Sequence, residues 1–139
     1  VRLRGLAIAL PCMAVLAVAA WMTPSPLGHG THEQLGFQPC SFMVRTGYPC
    51  PSCGMTTSVS ASVHLQLAQA WHAQPAGLVL AAALVVFSAV GLYEGLSGRA
   101  IIERLRPSLW WIPIGIVTMC AGWGVKVLTG LMAGEYPLH

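Results

Sequence analysis

Residues 75–96 read PAGLVLAAALVVFSAVGLYEGL, and from Leu78 to Val90 the only polar interruption is Ser88. About 20 apolar residues of helix cross a hydrocarbon core, so this stretch reads as a membrane span. Proline suits its first position, because the amide hydrogen it lacks would find no partner inside the helix. Two further stretches match it in length and apolarity, one from about Gly5 to Met22 and one from about Leu109 to Leu131. The chain therefore reads as all-α and integral to a membrane, with three transmembrane helices and one amphipathic interfacial helix.

Composition agrees. Of 139 residues, 55% are hydrophobic and 8% charged, the net charge is +3 and the mean hydropathy is +0.67. A soluble domain carries about 25% charged residues. So few charges cannot coat a water-facing sphere, which excludes a disordered chain, a basic nucleic-acid binder and a typical soluble enzyme.

Cation placement gives an expected orientation. Arg2 and Arg4 precede the first span, and Arg99, Arg104 and Arg106 crowd the connection between the second and third. The loop from Thr23 to Gln74 holds one cation, Arg45. The positive-inside rule puts the arginine-rich ends in the cytoplasm. The long loop and the C-terminus then face the periplasm or cell exterior. Trp21, Trp71, Trp110 and Trp111 fall at segment ends, as an aromatic belt requires. Lys126 lies near the far end of the third span, from where its side chain is expected to snorkel to the interface. The first span reads as a signal-anchor helix. Its competing reading is a secretory signal peptide, with Ala17-Val18-Ala19 resembling a cleavage site. Gly91 with Gly95, and Gly130 with Gly134, have the small-xxx-small spacing that lets helices approach closely; packing inside the bundle is the expected use and docking of a partner the alternative.

Three of the five cysteines, Cys40, Cys50 and Cys53, share the long loop, whereas Cys12 and Cys120 lie in spans and read as packing residues. After Cys53, residues Met55, Val59, Val63, Leu67 and Trp71 recur every fourth position, with Thr57, Ser60 and His64 on another side. This predicts an amphipathic helix along the membrane interface or in the mouth of the bundle. Cys53 then sits at a helix N-terminus, where free amide groups and the helix dipole favour a thiolate.

Three chemistries fit these sulfurs. A Cys-x-x-Cys pair binds one zinc ion; Cys40 supplies a third ligand and His32 a fourth, with His29 and His64 as alternatives. The same pair is a dithiol spacing, so Cys50 and Cys53 can exchange disulfides, with Cys50 the more exposed attacking thiol and Cys40 as a resolving thiol. A structural disulfide from Cys40 to Cys50 or Cys53 closes a short loop, worth about 3 kcal/mol on the chain-entropy model.

The run Gly47-Tyr48-Pro49-Cys50-Pro51-Ser52-Cys53-Gly54-Met55-Thr56-Thr57, followed by Gln74-Pro75 and an apolar helix, resembles the bacterial family called domain of unknown function 2752. The resemblance runs from about Gln38 to Tyr93. It implies a small helical membrane protein with a Cys-Pro-x-Cys-Gly-x-Thr signature before a helix, and no particular reaction. Many members carry arginine where this chain has Thr57, and asparagine where it has Gln74.

The acids are Glu33, Glu94, Glu103 and Glu135, and no Ser-His-Asp order, phosphate-binding glycine loop or HExxH motif occurs. The expectation is a non-enzymatic membrane subunit or accessory protein in a lipid bilayer with other membrane proteins as partners. A membrane-bound thiol-disulfide oxidoreductase is the alternative. A channel is disfavoured, since three helices leave no room for a pore.

Overall fold

A computed structural model describes residues 1–105 and 108–137. The helices are α1 (Arg2–Trp21), α2 (Ser41–Thr46), α3 (Met55–Val63), α4 (Leu67–Ala73), α5 (Pro75–Ser97), α6 (Ile102–Leu105) and α7 (Trp111–Ala133), with a 3-10 turn at Thr31–Leu35. No strand occurs among the described residues. Three of these helices, α1, α5 and α7, are long and apolar enough to cross a membrane, which marks the chain as a membrane protein. They stand at the expected places. Arg106, counted among the topogenic cations, and the last two residues of the tail lie outside the described residues.

The bundle is built on close contact between α1 and α5. A Cβ added to Gly5 would stand 2.6 Å from the Gly91 carbonyl oxygen and from the Gly95 nitrogen. One added to Gly91 would meet Gly5 O at 2.8 Å and Ala9 N at 3.0 Å. With lipid outside, apolar burial gives little drive to associate, so backbone proximity and dispersion must hold the pair. The Gly91/Gly95 pair is thus used within the chain. Gly130 and Gly134 do not form an equivalent face: Gly130 lies under the Tyr136 ring, and Gly134 is the left-handed residue that ends α7.

At one end of this pair Glu94 is wholly buried. Its carboxylate accepts from Arg4 Nε at 3.0 Å, Arg4 Nη2 at 2.7 Å and the Ile101 and Ile102 amides. Arg4 Nη1 also reaches Glu103 at 2.7 Å. An ion pair removed from water persists where its remaining lone pairs are also satisfied, as these are, and it ties α1, α5 and α6 together. The cysteine loop sits at the opposite end of α5, about 28 Å away for 19 residues of helix.

The amphipathic segment differs from the single helix expected. It breaks at His64–Gln66, where Leu65 takes a left-handed φ of 61°, into α3 and α4. The α3 segment is enclosed by α1, α4 and α5, with Thr57, Ser58, Val59, Ser60 and Ala61 all buried. Its polar side faces inward because there it meets helix-end carbonyls. Ser60 Oγ is shared between Ala19 O and Met22 O, and Ser58 Oγ between Ala70 O and Gln74 O. Small side chains make this enclosure possible. Of the two expected locations, the mouth of the bundle is the one observed.

Lys126 does not snorkel. It is 5% exposed, lies between Gly122 and Gly130 on the inward stripe of α7, and points into the cysteine loop.

Candidate functional site

Cys40 is the residue before α2, and Gly47 ends that helix with a φ of 75°. The chain then turns through Pro49 and Pro51, with the Cys53 amide donating to Cys50 O at 3.0 Å. Gly54 follows with a φ of 84° and leads into α3. A Cβ there would stand 2.5 Å from Ala73 O and from Lys126 Nζ, and 2.6 Å from Gly28 O. Only glycine fits both the conformation and the space.

Three alternate carbonyls of this loop are each gripped by a side chain from elsewhere. Trp123 Nε1 donates to Pro49 O at 2.7 Å, Gln74 Nε2 to Pro51 O at 2.9 Å, and Lys126 Nζ to Cys53 O at 3.2 Å. Lys126 Nζ also donates to Gly28 O at 3.2 Å, bringing in the segment that follows α1. The grip fixes the loop from its backbone side and leaves the sulfurs uncommitted to it. Gln74 Oε1 is buried with no hydrogen-bond partner.

The structure brings Cys40, Cys50 and Cys53 together, with their three sulfurs within 4.8 Å of one another. Cys50 is central, its Sγ 2.7 Å from that of Cys53 and 3.4 Å from that of Cys40; no disulfide joins them. Cys53 is 7% exposed, and Cys40 and Cys50 are half-buried. A cavity of about 390 Å³ opens on all three, with Met55, Thr56 and His32 also in its wall.

The thiols are unequal. Burial pushes the Cys50 thiol up, but hydrogen bonds donated by Cys53, by the Ser52 hydroxyl and by Cys40 outweigh it, and its pKa falls to about 7. Burial raises Cys53, and its proton is further retained by donation to Cys50. This corrects the assignment from helix position: Cys50, and not Cys53, is the stabilised thiolate. Cys53 precedes the first helical turn by two residues and is enclosed, so desolvation exceeds any benefit from the helix end.

His32 lies at the rim. It lines the cavity, but its Nε2 is 3.2 Å from Gln38 O and it is not among the groups clustered within 4.8 Å. His29 lines a smaller cavity with Cys40 and Cys53; burial, then the charge of Lys126, lowers its pKa. His64 ends α3, its Nδ1 paired with Ser60 O, and is not in the cluster. Neither Cys12 nor Cys120 joins the group. Tyr136 packs on Tyr48, with ring centroids 6.3 Å apart.

Trp123, Gln74 and Lys126 carry the loop and were not read as site residues from sequence. The usable signal was Lys126, since a lone cation within an apolar span is a functional candidate by default.

The family model described as a protein of unknown function, DUF2752, matches residues 40–88, and the chain resembles that family there. The match starts at Cys40, contains all three clustered cysteines and ends within α5. No curated protein and no solved structure matches the chain.

Proposed function

We propose that this chain is a non-enzymatic bacterial membrane protein whose cap binds one soft metal ion on Cys40, Cys50 and Cys53. The carrying observation is the convergence of three sulfurs, one from the start of α2 and two from the loop before α3, within 4.8 Å. A metal–thiolate bond is about 2.3 Å, so sulfurs gathered within 4.8 Å can share one centre, and a soft cation satisfies their charge. The three-carbonyl grip holds the Cys-x-x-Cys half of the site before any ion arrives. The cap faces the periplasm or exterior on the positive-inside reading, supported by the arginine cluster at the other end of the bundle. Association with another membrane protein is supported by α7, whose residues 111–117 are exposed on every side in this chain. The test is metal analysis of the purified protein with peptide mapping under non-reducing conditions. One bound ion with the three cysteines reduced is expected; a stoichiometric disulfide without metal contradicts the proposal.

A second reading, thiol-disulfide exchange, is favoured by the inequality of Cys50 and Cys53. A thiolate near neutral pH beside a buried protonated thiol is the division of labour that dithiol exchange uses. Single-cysteine variants that trap a mixed disulfide through Cys50 would support it over metal binding.

A further inference from the structure

We infer that the ion is monovalent copper, held by the three sulfurs alone and loaded through the cavity that Met55 lines. The inference deepens the metal reading above and rests on it. A structural zinc site is closed by four protein ligands. Here three sulfurs are the whole group within 4.8 Å among the described residues, and His32, the imidazole in the cavity wall, stands outside it. A catalytic zinc with three protein ligands keeps an open position and works with a general base beside the bound water. The cavity that opens on all three sulfurs has no carboxylate in its wall, and Glu33 lines only the smaller cavity beside Cys40 and Cys53. The ligands of an iron–sulfur cluster are spread over more than one iron, whereas these three sulfurs crowd around a single centre. What remains is a cluster whose ligating atoms within 4.8 Å are all sulfur, the soft donor that selects monovalent copper, and that ion accepts three-coordination.

The surroundings extend the donor set. Met55 stands in the wall of the 390 Å³ cavity, and Met43 lines the smaller cavity shared with Cys40 and Cys53. A methionine in the wall of the entry cavity offers an arriving ion a weak soft ligand before the thiolates take it. Nothing is oxidised or reduced: the ion enters and stays monovalent, and each thiol that ionises to bind it releases its proton to solvent.

The test uses the full chain, purified anaerobically in detergent from cells supplied with both copper and zinc. Elemental analysis is expected to find copper at one per chain, and X-ray absorption a shell of three sulfurs without nitrogen. Loading by Cu(I) from a chromogenic chelator is expected to slow about tenfold in Met55→Leu, with equilibrium affinity unchanged, because a staging ligand outside the final set has been lost. Zinc with a fourth, nitrogen ligand that disappears in His32→Ala would overturn copper and leave the metal site standing. Failure to retain either metal with all three thiols reduced would overturn both.

Discussion

Lys126 Nζ lies 3.2 Å from the Cys53 carbonyl oxygen and donates to it, so the third span is fastened to the loop that carries the sulfurs. The same ammonium holds Gly28 O, and Gly54 passes so close that no side chain fits between them. Lys126→Met fills the space but leaves two enclosed carbonyls without a donor. Unmaking such bonds costs about 1–3 kcal/mol. A corresponding fall in unfolding free energy is expected in mixed micelles, with faster proteolysis of the cysteine loop; stability equal to the parent would show the contact to be idle.

The unequal thiols give a pH-dependent reactivity. Alkylation requires the thiolate, and Cys50 has its pKa near 7 because Cys53, Ser52 and Cys40 donate to it against the effect of burial. In the metal-free reduced protein, modification of Cys50 is expected to rise as pH increases through about 7 and then level off. Cys53, whose proton is held by burial and by Cys50, should stay unmodified over that range. Mass mapping of iodoacetamide adducts reads both sites. Equal labelling, or labelling of Cys53 first, would reverse the assignment.

The contact of α1 with α5 has no slack. Gly91→Leu sets a side chain against the Gly5 carbonyl and Ala9, where the obstacle is largely backbone and cannot rotate away. Overpacking of this kind costs typically about 1–3 kcal/mol. A lower thermal midpoint and partial separation of α1 are expected. Substitution at Gly115, which has nothing within 4 Å, should leave stability unchanged. A Gly91→Leu protein as stable as the parent would rule out this packing.

These residues also show how much the sequence discloses. The spans were legible because hydropathy over a helix length is a local property, and the glycine spacing announced a close approach. The three cysteines were legible as a group from proximity along the chain, though metal, disulfide and redox roles share that spacing. The grip on the loop was hidden: Trp123 and Pro49 are 74 residues apart, and no period links them. Lys126 was visible but misread, since a lysine near a helix end serves either to snorkel or to hold carbonyls, and only the neighbouring chain decides. The same holds for Thr57 and Ser60, whose polarity marks one side of an amphipathic helix but answers the carbonyls where α1 ends and the hydroxyl of Thr31.

Counting bound metal in the parent chain and in Cys40→Ser, Cys50→Ser and Cys53→Ser, each purified anaerobically, bears most directly on the joint use of the three sulfurs. One ion per chain in the parent and a loss of retention in every variant is the expected result, because each sulfur belongs to the same cluster. Retention undiminished in Cys40→Ser, or a metal-free parent, would contradict it.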